Sequence, residues 1–168
     1  MRCSPSSAAS NTACSADPVR VWRLVAARHA AGALSGLGAA EFGGRWNPVG
    51  RRMVYTADSL ALATLELSAH LTGARMKFVA LELDLPDDAV DVLEVGDLRK
   101  QWAAHPESTA RIGEAWATTA RSLALAVPSA LVDARSGERN VLIDPLHPAA
   151  ASLREVQRFD VTLDERLT

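Results

Sequence analysis

GGRWNPVGRRMVYTADSLALATLE, residues 43–66, passes through three kinds of local structure in one short stretch. Gly43, Gly44, Pro48 and Gly50 punctuate a tight loop. Arg52 to Thr56, with its MVYT core, reads as a short strand, and Asp58 or Ser59 is placed to cap a helix over roughly Leu60 to Leu71. Arg45, Tyr55 and Glu66 fall at nearly even spacing on the loop, the strand and the helix, which is the layout of a site. Glu66 sits among Leu62, Ala63, Leu65 and Leu67, so the reading buries its carboxylate. That burial is costly unless a partner or a ligand compensates.

The segments on either side set the fold class. From Val19 the run VRVWRLV alternates as a strand does and points Trp22 and Arg23 to opposite faces. Six glycines between Gly32 and Gly50 predict a long turning loop rather than a helix. Lys77 to Leu85 (KFVALELDL) is the clearest strand, with Phe78, Ala80 and Glu82 on one face, Val79, Leu81 and Leu83 on the other, and Pro86 as its stop. Helices are expected over Leu98 to Trp102 and Glu107 to Leu125, and strands over Leu125 to Val132, Val141 to Ile143 and Val156 to Leu163. Strands and helices in this order, without regular βαβ alternation, predict an α+β domain and disfavour a doubly wound sheet. Gly36-Leu-Gly38-Ala-Ala-Glu41 fails the dinucleotide and Walker glycine patterns at their decisive positions.

With 168 residues, 48% of them hydrophobic, the chain suits one domain with a real core. A formal charge of -2 and no long basic run argue against direct nucleic-acid binding through phosphate neutralisation. The longest apolar runs are too short for a membrane span. Residues 1–18, rich in Ser and Ala and lacking an apolar h-region, read as a disordered leader before a domain over 19–168. Both cysteines, Cys3 and Cys14, fall in that leader and form neither a disulfide framework nor a CxxC pattern, so a reducing, cytoplasmic location is expected.

The side chains with chemistry are few. Arg45, between flexible glycines and Trp46, is either an anion clamp or a surface arginine stacked on that indole. Arg23, in a strand fit for the core, needs an anion if it points inward. Tyr55 reads as a core aromatic with a satisfied hydroxyl. Glu66 has no basic residue at i±3 or i±4 except His70 at i+4, a contact that would satisfy both groups. Ser129, after Pro128, either orients a ligand or bonds the backbone, and no GxSxG elbow surrounds it. Asn140 and His147 bracket NVLIDPLHP, a turn fixed by Pro145 and Pro148 in which His147 acts as a cap or anchor. The four histidines are far apart and without neighbouring cysteine, so no metal site is expected.

Five elements taken in order, WRL at Trp22 to Leu24, GGRWNPVG at Gly43 to Gly50, VYTADSLALATLE at Val54 to Glu66, VPSA at Val127 to Ala130 and NVLIDPLHP at Asn140 to Pro148, resemble the RES-domain family across roughly Val19 to Leu163. The Arg, Glu and Ser of the family's name correspond to Arg45, Glu66 and Ser129, and the resemblance adds Arg23 and Tyr55 to the pocket. It implies a single domain of mixed twisted sheets with flanking helices, like the NAD-dependent ADP-ribosyltransferases. It further implies a bacterial toxin that uses NAD as substrate and is neutralised, in a higher-order complex, by a helix-turn-helix antitoxin of the Xre type.

Members degrade NAD, in some cases with inorganic phosphate as acceptor, or transfer its ADP-ribose to a protein. Asp144 departs from the Asn expected in the NP-x-HP turn. On this reading Glu66 stabilises the cationic ribose, Tyr55 borders the nicotinamide, Arg23 and Arg45 hold the pyrophosphate, and Ser129 orients the ribose or Glu66. The competing readings are a mono-ADP-ribosyltransferase with a protein acceptor and a catalytically silent module that binds a nucleotide or the antitoxin.

Overall fold

The computed structural model of the chain describes residues 18–71 and 76–167, so residues 1–17 of the expected leader, with both cysteines, lie outside the described residues. Seven strands, β1 (Val19–Ala26), β2 (Val54–Ala57), β3 (Phe78–Leu85), β4 (Val90–Val92), β5 (Ala124–Pro128), β6 (Arg139–Ile143) and β7 (Arg154–Val161), form one sheet in the order β4-β5-β6-β2-β1-β3-β7. Every pairing is antiparallel except β4 with β5, whose crossover runs through helix α3 (Pro106–Thr119). The expected α+β class holds, with two further helices, α1 (Leu37–Phe42) and α2 (Leu60–Ser68). Among the described residues no helix is long and apolar enough to cross a membrane.

One joint of the sheet differs from the rest. β1 meets β2 through the single pair Trp22 and Ala57, whereas β1 pairs with β3 along all eight residues. Past that pair a side chain makes the link, for Arg23 Nη1 donates to the Tyr55 carbonyl at 2.6 Å. The sheet is therefore two firmly laddered halves meeting along a narrow seam.

One face of the sheet buries Val21, Val25, Val54, Leu81, Leu83 and Ile143 in the main core. The opposite face carries two separate clusters. Leu24, Ala57, Leu62, Ala63, Phe78 and Ala80 seat α2, and Trp46, Met53, Trp116, Leu125, Val127 and Leu142 seat the GRWN turn and α3. Tyr55 packs against the second cluster, and Glu66 stands on α2 over the first.

Several expected elements differ in the structure. The glycine-rich stretch contains α1, because Gly36 and Gly43 bracket that helix at φ 67 and 71 instead of interrupting it. The helix expected over Leu98 to Trp102 is absent, and Gln101 stands in the left-handed region at φ 57 before a single 3-10 turn, Trp102–Ala104. Helix α3 stops at Thr119 where Ala120 turns left-handed at φ 45, which frees Ala124 and Leu125 to enter β5. That strand ends at Pro128, not Val132, because proline donates no ladder hydrogen bond and the chain turns away.

The alternation read for β3 matches its register, yet all eight of its residues are buried. Glu82 and Asp84 are accommodated by ion pairs. Arg20 Nε lies 3.1 Å from Glu82 and 3.2 Å from Asp84, Arg154 reaches Asp84 at 2.5 Å, and Gln157 bonds Glu82.

Candidate active site

Glu66 reaches its place because Ser59 starts α2 in register. The Ser59 hydroxyl accepts from the Leu62 amide at 3.0 Å, and the helix then delivers Glu66 in its last turn. The carboxylate is half-buried rather than enclosed: Leu62 and Ala63 are buried, but Leu65 is 42% exposed, so Glu66 lies at a rim. Its Oε1 accepts from Ser129 Oγ at 2.8 Å and from Asn140 Nδ2 at 2.5 Å. His70, its i+4 neighbour, is not among its partners. Both donors come from strand segments, Ser129 just past the end of β5 and Asn140 on β6 opposite Ala57.

Ser129 is held for this task. It is 3% exposed, and the Leu131 amide donates to its Oγ at 3.0 Å, so the hydroxyl hydrogen is left for Glu66. Sequence reasoning placed Asn140 only at the border of a turn, although its position in a short apolar strand beside the VPS element was a usable signal.

Tyr55 belongs to a second group. Its hydroxyl donates to Asn47 Oδ1 at 2.7 Å and accepts from the Trp46 amide at 3.0 Å, so it braces the GRWN turn from beneath. Asn47 in turn satisfies the carbonyls of Ala39, Pro48 and Arg51 from Nδ2, at 2.8 to 3.0 Å. The fit is close enough that a Cβ on Gly44 would lie 2.5 Å from the Tyr55 hydroxyl. Burial pushes the phenol up to about 12, against smaller opposing effects of the Trp46 amide and of Arg45, so it stays protonated at neutral pH.

Arg45 extends from this turn. Its Nη1 donates to the Ala103 carbonyl at 2.7 Å, and the guanidinium lies 6.0 Å from the ring centre of Trp102, so the alternative of stacking on Trp46 is not what the structure shows. Trp46 is instead buried, with Trp102 packed against it at 5.8 Å. Thr109 of α3 accepts this backbone by donating its hydroxyl to the Arg45 carbonyl at 2.6 Å.

Arg23 has a donor left over. One nitrogen is bound to the Tyr55 carbonyl, while Nε is buried with no hydrogen-bond partner. Burial pushes its guanidinium down to about 10. A buried cation with an unanswered donor is a place for an anion.

Glu66, Ser129 and Asn140 are thus in direct contact, whereas Arg23 and Arg45 are tied to one another only through Tyr55 and its turn. Tyr55 and Asn140 share a sheet face: Tyr55 stands opposite Leu142 and Ala57 opposite Asn140, so the two are diagonal neighbours on β2 and β6, about 7–8 Å apart at the backbone, whereas Arg23, between Val21 and Val25 and opposite Leu81, leaves β1 on the main-core side. His147 and Asp144 serve the chain itself. His147 Nδ1 accepts from the Ala149 amide and Asp144 Oδ1 from the Leu146 amide, closing the turn after β6. Among the described residues no three His, Cys, Asp or Glu side chains cluster as metal ligands.

Known proteins share this arrangement of sequence and fold. A family model described as the RES domain matches residues 20–164. A protein of Photorhabdus laumondii named Toxin Res is 35% identical over 152 residues, covering 88% of this chain and 96% of that one. A Sphingobium protein named Prs ADP-ribosylating toxin is 39% identical over 142 residues, covering 79% and 86%. Among solved structures, the complex described as the M. tuberculosis MbcT-MbcA toxin-antitoxin complex contains a chain that superimposes with a TM-score of 0.65 at 21% identity, covering 86% of this chain and 85% of that one.

Proposed function

Because the chain belongs to the RES-domain family, we propose that it is a toxin that breaks the nicotinamide-ribose bond of NAD and passes the ADP-ribose to phosphate or water. The observation that carries this reading is the carboxylate of Glu66, held at a rim by Ser129 and Asn140 on one oxygen. Cleavage of that bond develops positive charge on the ribose as nicotinamide departs with the bonding electrons. A fixed carboxylate facing the sugar stabilises the cation as it forms. An acceptor then adds to the same carbon: phosphate gives ADP-ribose 1-phosphate, and water gives ADP-ribose with release of a proton.

Arg23 supports the assignment from the other side of the seam. Its guanidinium, whose buried Nε has no partner, would turn at the seam to meet a pyrophosphate oxygen, with Arg45 leaving the Ala103 carbonyl to reach a second. Tyr55 would border the nicotinamide with its ring while its hydroxyl holds the turn.

This reading predicts a separation of binding from stability. Arg23→Met removes a buried charge that has no anionic partner together with the hydrogen bond to the Tyr55 carbonyl across the seam, opposing effects that should leave the protein folded with a melting temperature within about 5–10 °C of wild type. Millimolar NAD should raise the melting temperature of wild type and leave that of Arg23→Met unchanged. An equal upshift in the variant would remove Arg23 from the pocket.

A toxin needs silencing in its own cell. We assign that role to an antitoxin, of the Xre helix-turn-helix type that the family resemblance implies, covering the Glu66 rim in a higher-order complex; the solved chain with the same fold is itself part of a complex described as toxin-antitoxin.

One relative favours a second reading. The protein named Prs ADP-ribosylating toxin suggests a protein side chain as acceptor, with the same bond broken in NAD. The fate of ADP-ribose separates the two. Purified protein is incubated with adenine-labelled NAD, with and without phosphate, and the products are resolved by chromatography and gel. Label in ADP-ribose 1-phosphate or in ADP-ribose supports NAD degradation, while label on a protein band, with little in small molecules, establishes transfer in its place.

A further inference from the structure

We propose that Asn140 is a positioning residue for Glu66: it anchors Oε1 so that Oε2 is the oxygen presented to the substrate ribose. The inference rests on the NAD-cleaving reading and specifies how its carboxylate is aimed.

Three observations converge. First, Ser129 Oγ and Asn140 Nδ2 both reach the same oxygen, Oε1, and among the described residues no hydrogen bond reaches Oε2. Both must donate here because a carboxylate only accepts: Ser129 gives its hydroxyl hydrogen while a lone pair receives the Leu131 amide, and Asn140 turns its NH2 rather than its carbonyl toward Oε1.

Second, the two donors differ in how firmly they are held. Ser129 lies in the turn beyond β5. Asn140 is an interior residue of the sheet, paired with Ala57 on one side and Val127 on the other, so its Cβ has no freedom to move away. Third, Glu66 needs an anchor. It stands in the last turn of a nine-residue helix, at a half-exposed position, with three rotatable bonds of its own. The rigid donor on the sheet decides which rotamer the flexible acid adopts.

A group that aims the carboxylate without touching substrate should act on turnover more than on binding. Nicotinamide release is measured for wild type and for Asn140→Ala, Asn140→Asp and Asn140→Ser. In Asn140→Ala, kcat is expected to fall about 10²-fold, the scale of a misplaced catalytic group, with KM for NAD within about threefold. Asn140→Asp, nearly isosteric, turns a donor into an acceptor facing a carboxylate and should fall at least as far. Asn140→Ser keeps a shorter donor and should exceed the Asp variant.

A wild-type kcat in Asn140→Asp, a loss confined to KM, or Ser and Asp variants of equal kcat would overturn the inference while leaving NAD cleavage intact. If Asn140→Ala fails to fold, the order of Ser and Asp still decides. No nicotinamide release by wild type with any acceptor would bring down the underlying reading and this one with it.

Discussion

Glu66→Gln should lower nicotinamide release by at least about 10³-fold, or roughly 4 kcal/mol of transition-state stabilisation, and leave the melting temperature within a few degrees of wild type. The substitution keeps the size of the side chain and one acceptor oxygen. That oxygen would stay with Ser129 and Asn140, as Oε1 does now at 2.8 and 2.5 Å. The amide NH2 would then occupy the outward position and meet the developing cation with a donor in place of a negative charge. Stability is spared because the local hydrogen bonds survive, and catalysis is lost because the charge does not. Steady-state assays beside thermal melts read both quantities, and an active Glu66→Gln enzyme would remove the carboxylate from the mechanism.

The second large effect concerns the seat of the GRWN turn. A Cβ on Gly113 would lie 1.9 Å from the Trp46 carbonyl oxygen and 3.0 Å from its carbon, a clash with backbone that no rotamer relieves. Gly113 follows Thr109 by one helical turn on α3, and Thr109 binds the Arg45 carbonyl, so the two positions together clasp the Arg45 and Trp46 backbone. Gly113→Ala should therefore destabilise by at least about 3 kcal/mol, a fall of roughly 6–12 °C in melting temperature, and weaken NAD binding as Arg45 shifts. Gly38→Ala serves as the control, since its Cβ meets nothing within 4 Å inside α1, and it should be neutral or slightly stabilising. Equal melting of the two variants would mean that α3 does not hold the turn.

The sequence revealed those parts of the fold whose signals are local. β3 was legible from strict alternation ended by Pro86, α2 from Ser59 ahead of an apolar run, and β1 from VRVWRLV. The α1 helix escaped because glycine marks both helix ends and loops, and only the backbone shows that Gly36 and Gly43 are its two ends. Left-handed Gln101 and Ala120 carry no sequence signal at all, so the missing helix at Leu98 and the early stop of α3 were not readable.

The site divides in the same way. Arg45, Tyr55, Glu66 and Ser129 stood out by residue type and setting, and the structure brings Glu66 and Ser129 into contact. Asn140 gained its meaning only from the β2–β6 register, which sets it beside α2. The burial expected for Glu66 was too strong because the last turn of α2 opens to solvent at Leu65. Arg23 was read as needing an anion if it points inward; it is buried, and its Nε has no hydrogen-bond partner among the described residues.

Hydrolysis, phosphorolysis and protein modification all require the same bond to break, so free nicotinamide reports NAD cleavage most directly. It is measured by chromatography after incubating purified protein, cleared of any bound antitoxin, with NAD in the presence of phosphate, of water alone, and of cell extract. One nicotinamide should be released for each NAD consumed with at least one of these acceptors. No nicotinamide above the Glu66→Gln background in all three would contradict NAD cleavage.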